Sequence, residues 1–169
     1  MILHLRDRFA RGAFADVFRN PERPVVYKLF RRLADPRLAH VAPYVFSAET
    51  QAYEICDRSP ALQQYVPAYH GAVPVASVLS DDGGELRRDY WLDLCYCVER
   101  LEPDQEERKF GSFYNDDEWH LMEPIDRLFT DAGIGHLGDA SVLHWRSGRP
   151  KLIDFAVSDA AADYARVPS

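Results

Sequence analysis

The sequence predicts an α+β fold in two lobes, a strand-rich first half carrying one helix and a smaller, mainly helical second half. Three observations predict it. Apolar and aromatic residues crowd short segments bounded by turn signals, such as Val25 to Phe30 after Asn20-Pro21-Glu22-Arg23-Pro24. Between Pro43 and Arg58 the apolar positions Val45, Ala48, Ala52, Tyr53 and Cys56 fall at helical spacing. After a polar stretch, Asn115-Asp116-Asp117-Glu118 offers cap and first-turn acids for a second helix reaching Thr130.

The elements follow in order. Leu5 to Phe18 alternates loosely and turns around Gly12, which suits strand, turn, strand. Val25 to Phe30 is the next strand, and the helix after it should stop at Ser59-Pro60. Val66 to Ser80 offers two short strands around Pro74. Asp81-Asp82-Gly83-Gly84 reads as a hairpin turn leading into a strand from Tyr90 to Arg100. Leu101 to Asp117 reads as a polar connection. Val142 to Trp145 and Lys151 to Phe155 are strands joined through Ser147-Gly148-Arg149-Pro150, and Val157 to Ser169 is a small, polar end. The expected organisation is one domain over 1–169, with a first lobe at 1–101, a hinge or linker at 102–117 and a reduced second lobe at 118–169.

Composition narrows the function classes. The chain has 169 residues, 47% hydrophobic and 28% charged, enough to bury a core without staples. A net charge of −7 argues against nucleic-acid binding by phosphate neutralisation. It leaves room for a nucleotide site, since one lysine and a metal hold phosphates within an acidic protein. Cys56, Cys95 and Cys97 are an odd number without metal-ligand spacing, which suits reduced core residues and a cytosolic, cytoplasmic setting. The N-terminal stretch, with Arg6, Asp7, Arg8 and Arg11, does not read as a signal peptide, although export without a cleaved signal stays open. No apolar run approaches a membrane span.

Chemistry-bearing residues stand in a fixed order. Lys28 closes the apolar run Val25-Val26-Tyr27, Glu49 lies on the next helix, and Asp154 follows the second apolar strand in Lys151-Leu152-Ile153-Asp154-Phe155-Ala156. In this order and on these elements the chain resembles the protein-kinase-like superfamily, its smallest members most of all. The resemblance spans nearly all of the chain, but almost nothing follows the metal-binding segment, so the second lobe is truncated relative to the family.

The resemblance implies roles. Lys28 would hold the phosphates of ATP, and Glu49 would orient its ammonium; Glu54 is a rival on another face of the helix. Glu49 is preferred because Ala48, Ala52 and Tyr53 place it at the edge of the buried face. Asp154 would bind magnesium, a carboxylate at the end of a buried strand being costly without a cation. The phosphate loop keeps one glycine of three, Gly12, with Ala10 and Ala15 at the other positions. The hinge around Glu99 and Leu101 would offer backbone groups to adenine. In Ile134-Gly135-His136-Leu137-Gly138-Asp139-Ala140-Ser141, His136 stands where the catalytic aspartate belongs and Ser141 where the metal-binding asparagine belongs. An imidazole with a pKa near ~6.5 accepts a proton but lacks a carboxylate's charge beside magnesium. Asp139 is the alternative base.

Three functional readings stay open. The first is a minimal kinase-like pseudokinase that binds ATP and magnesium and acts through a protein partner. The second is an active, atypical ATP-dependent phosphotransferase using His136 or Asp139. The third is an α+β interaction module without nucleotide. Phe110, Phe113, Tyr114 and Trp119 offer either a partner-contact surface or packing beneath the connection. Neither nucleic acid nor membrane is an expected partner.

Overall fold

The structure, a computed structural model, describes residues 1–35, 38, 40–102, 107–135 and 137–158. It is α+β, with ten strands and three helices among the described residues. The strands are β1 (Ile2–His4), β2 (Arg8–Arg11), β3 (Ala15–Arg19), β4 (Val25–Arg31), β5 (Tyr69–Ala72), β6 (Ser77–Leu79), β7 (Tyr90–Glu99), β8 (Arg108–Lys109), β9 (Ser141–Leu143) and β10 (Lys151–Ile153). The helices are α1 (Val41–Asp57), α2 (Pro60–Gln63) and α3 (Trp119–Asp131). Among the described residues no helix is long and apolar enough to cross a membrane.

The chain divides into two compact units that interleave in sequence. Met1–Ser47 and Tyr69–Arg100 belong to the first, Ala48–Ala68 and Leu101–Arg166 to the second. Helix α1 passes from one to the other.

The first unit is built on a five-stranded sheet in the order β2-β3-β4-β7-β5, all neighbours antiparallel. Alternation along β4 sends Val25, Tyr27 and Leu29 into a core with Phe18, Val75, Val78, Tyr90, Cys95 and Cys97. Cys95 and Cys97 lie two apart on β7, share that face, and are free thiols. The opposite face of β4 carries Val26, Lys28 and Phe30, and Phe46 from the start of α1 meets Phe30 edge-on with ring centroids 5.6 Å apart.

The expected hairpin turn is present, and β6 also gains a partner that the sequence did not suggest. Asp81 to Gly84 does form a turn, closed by the Ser80 amide donating to the Gly84 carbonyl at 2.8 Å. It joins the antiparallel Leu79↔Glu85 bridge, and the Leu86 amide donates to the Val78 carbonyl at 2.8 Å. β6 pairs in parallel with β1, and the Leu3↔Val78 register buries both side chains. The burial of that pair adds a parallel partner on the other side of β6, which the local hairpin signal does not foretell.

The second unit revises the polar connection. Within 102–117 lie β8 and a 3-10 turn at Phe110–Phe113. β8 pairs with β9, and β9 with β10, giving a three-stranded antiparallel sheet. Phe110 and Phe113 are fully buried, which costs nothing in charge because Arg108 carries the polar contacts of the segment. Its guanidinium donates to Glu118 at 2.7 Å and Asp116 at 3.0 Å while lying 4.0 Å from the Phe113 ring. The strand signal was hidden because β8 is only two residues long.

Candidate functional site

Lys28 sits mid-strand in the first unit, across from Val17 on β3 and Tyr96 on β7. Its ammonium lies 5.8 Å from the Phe30 ring centroid and 5.9 Å from that of Tyr96, so two aromatic faces share its charge. It is half-buried.

Gly12 is at the exposed tip of the β2–β3 turn, its amide donating to the Ala15 carbonyl at 2.8 Å. The carbonyls of Gly12 and Ala13 both accept from the Arg31 guanidinium at 2.7 Å. Arg31 in turn faces Asp16, whose side chain is entirely buried. One Asp16 oxygen accepts from Arg8 at 3.0 Å and from the Tyr90 hydroxyl at 2.7 Å. The other lies 3.4 Å from Arg31 Nε and 3.6 Å from Arg11 Nε, at ion-pair distance but without hydrogen-bond alignment. The turn is thus tied, through Arg31, to a buried charge network. Burial first, and then the bond to Asp16, hold the Tyr90 phenol well above its ordinary pKa. The Asp16 hydrogen bond likewise raises Arg8. Sequence reasoning passed over this network. The available signal was a carboxylate between Ala15 and Val17 on an inward-facing strand, which must meet cations to be buried.

Glu49 is buried at 6% exposure on α1, whereas Glu54 is exposed. One turn later Tyr53 packs on Phe155, ring centroids 4.8 Å apart, and Phe129 of α3 meets Phe155 from another side at 5.7 Å. The Val157 amide donates to the Ala48 carbonyl at 3.4 Å. Within the second unit, therefore, the helix carrying Glu49 is packed against the segment carrying Asp154.

Asp154 follows β10 with φ 60°, in the left-handed region, and has an exposed side chain. The desolvation argument made from sequence does not apply to it. Aspartate is one of the few non-glycine residues that adopts this region, so the conformation marks a sharp turn of the chain directly after β10. His144, at the end of β9, also has a positive φ, 56°.

Glu99 is exposed at the end of β7, opposite Val25. The Arg100 amide donates to the Pro24 carbonyl at 2.8 Å, so part of the expected hinge backbone is already engaged. Leu101 lines a cavity of about 590 Å³ in the second unit with His144, Ser147, Arg149 and Lys151.

His136 lies outside the described residues. Around it the chain is stitched to β8 and the following turn. The Phe110 amide donates to Ala140 at 2.8 Å, and the Gly111 amide to Gly138 at 2.9 Å. Lys109 Nζ donates to the Asp139 carbonyl and the Ser141 hydroxyl, each at 2.9 Å. Asp139 presents an exposed carboxylate, and Ser141 is buried. Lys109 was missed in the sequence because the strand carrying it was missed.

The fit to magnesium is uneven. An ammonium on the Ser141 oxygen opposes a divalent cation at the same atom. Among the described residues no three His, Cys, Asp or Glu side chains gather as a metal-holding group. Asp154 alone suits a magnesium ion that takes its remaining oxygens from phosphates and water, as magnesium commonly does.

Of the four aromatic residues considered for partner contact, Phe110 and Phe113 pack inward, while Tyr114 is 45% exposed. Tyr114 and Trp119 meet edge-on at 5.0 Å, as do Phe113 and Trp145 at 5.4 Å.

No family model matches this chain, and no curated protein matches it.

Proposed function

We propose that this chain is a minimal kinase-like pseudokinase, a scaffold that binds ATP with magnesium and acts by engaging a protein partner. The observation that carries this reading is Asp154, which turns the chain at φ 60° after β10 and is coupled through its neighbour Phe155 to Tyr53, one turn from Glu49. An exposed carboxylate directly after β10, on the segment packed against the helix of Glu49, supports a ligand role. Magnesium would supply charge neutralisation between the phosphates. Asp154 would hold it, Lys28 would pair with the phosphates, and Glu49 would orient the ammonium. The Gly12 turn, tied down by Arg31, would cover the phosphates as a fixed rather than a flexible lid.

Slow or absent transfer fits the loop before β9. The Ser141 hydroxyl is occupied by Lys109, which weakens the second metal position. Phosphoryl transfer depends mainly on positioned charge, so losing that position slows it severely. The test is thermal unfolding of the whole chain with ATP or ADP, with and without magnesium. A magnesium-dependent upshift lost in Asp154→Asn supports the reading; no shift with either nucleotide overturns it.

A further inference from the structure

A second cavity, of about 310 Å³, lies wholly within the first unit. Its walls are Arg6, Asp7, Arg8, Phe9, Arg19, Asn20, Pro21 and Arg100. Four guanidiniums therefore face one carboxylate, in a protein whose net charge is −7. Sheet topology locates it. The start of β2, the end of β3, the start of β4 and the end of β7 all lie at one end of the sheet, and the Gly12 turn lies at the other.

The walls are preformed. Arg8 is held by Asp16 at 3.0 Å. The Asn20 side chain accepts from the Glu22 and Arg23 amides at 2.8 and 3.0 Å and donates to the Tyr27 hydroxyl at 2.9 Å, which fixes the β3–β4 turn. Arg19 lies over the Phe9 ring at 4.6 Å, which orients its guanidinium without using its N–H donors. Among the described residues neither Arg6 nor Arg19 meets a carboxylate. Two cations left uncompensated at the mouth of a rigid concavity, in an otherwise acidic chain, call for an anion. A guanidinium fork matches the paired oxygens of a phosphate group. The volume sits at the lower end of small-ligand pockets and is too small for a folded partner segment.

We infer that this cavity binds a small, multiply charged ligand of the phosphate class, with Arg6 and Arg19 as its principal donors and Arg8 as part of the wall. The site is separate from the proposed nucleotide site and does not depend on it.

The probe is inorganic pyrophosphate, titrated into the whole chain without magnesium at constant ionic strength. Melting temperature is the readout, with citrate and a polyglutamate peptide as comparison anions. Expected is a saturable upshift with pyrophosphate that citrate and polyglutamate do not match. Arg6→Gln and Arg19→Gln should each weaken it about tenfold, the worth of one charge-assisted contact. Lys28→Ala should leave it unchanged. An equal response in the arginine variants, its loss in Lys28→Ala, or an equal response to citrate or polyglutamate would each overturn the inference. As a readout needing no variant, pyrophosphate should protect Arg6 and Arg19 from phenylglyoxal, scored by peptide mass; unprotected arginines count against the site. Failure of magnesium–ATP to stabilise the chain would bear only on the nucleotide reading.

Discussion

Tyr53 and Phe155 pack as a tilted ring pair with centroids 4.8 Å apart, joining the helix that bears Glu49 to the turn that bears Asp154. Both side chains are nearly or wholly buried. Glu49 and Asp154 are far apart in sequence, and this aromatic contact is what carries one toward the other within the second unit. We predict that Tyr53→Ala and Phe155→Ala each destabilise the chain by about 3–5 kcal/mol. Their double-mutant cycle should show a coupling of ~0.5–1.5 kcal/mol in urea unfolding. A coupling indistinguishable from zero would mean the two rings share a core without positioning each other.

Removing Asp16 should be among the most damaging single changes in the first unit. Its carboxylate is fully buried and faced by Arg8, Arg11, Arg31 and Tyr90. Asp16→Ala leaves those cations around an empty site, and a loss of about 3–5 kcal/mol in urea unfolding is expected. The Gly12 turn should loosen at the same time, since Arg31 loses its anchor, so proteolysis at Ala13-Phe14 should speed up. A variant as stable as the parent would show that the network is surface decoration.

Gly111 and Gly138 approach each other through their backbones, but only one of them needs to be glycine. A Cβ on Gly111 would meet the Gly138 carbonyl oxygen at 2.9 Å, while one on Gly138 would come no nearer than 4.0 Å to Tyr114. Gly111→Ala should therefore cost about 1–3 kcal/mol, and Gly138→Ala should be nearly neutral. Thermal melts of the two variants side by side decide it; equal effects would contradict the close approach.

The stability of the chain should fall in alkali. Burial pushes the Cys56 thiol up to about 12 and also raises Cys95 and Cys97. In the unfolded chain thiols titrate near ~8.5, so above that pH the folded state holds protons that the unfolded state gives up. The stabilisation is complete below the unfolded value and declines as pH rises. Tyr90, raised by burial and then by Asp16, adds the same sign above ~10. Urea midpoints should hold from roughly pH 7 to about 8 and fall from there to about pH 10, and Cys56→Ala should flatten the fall. A midpoint independent of pH would refute the burial argument.

The nucleotide site predicts a separation of binding from folding. Asparagine tolerates the left-handed backbone that Asp154 adopts, whereas alanine does so at about 1–2 kcal/mol. Asp154→Asn should therefore melt with the parent protein yet lose its magnesium-dependent ATP upshift, and Lys28→Ala should lose that upshift too. At a hundredfold excess over Kd the lost stabilisation would be about 2.7 kcal/mol. Retention of the full shift by both variants would remove these residues from any nucleotide site.

The sequence by itself determined the α+β class, the strand–turn–strand at Gly12, helix α1, and the hairpin that ends at Asp154. Each is written in local signals: alternation over a few residues, a 3.6-residue period, or a glycine or proline at a turn. Lys28, Glu49 and Asp154 could be singled out because each lies within, or directly after, an element that such signals mark. Tertiary structure decided the rest. β8 is too short to carry a pattern, and only its pairing with β9 makes Lys109 a neighbour of Ser141. β6 took β1 as a parallel partner because their pairing buries Leu3 and Val78 together, while its local hairpin turn stayed in place. Asp16 collected Arg8, Arg11, Arg31 and Tyr90 from three strands, an arrangement no local window contains. Contacts between residues distant in the chain depend on which surfaces are buried together, and that is settled by packing, not by neighbours in sequence.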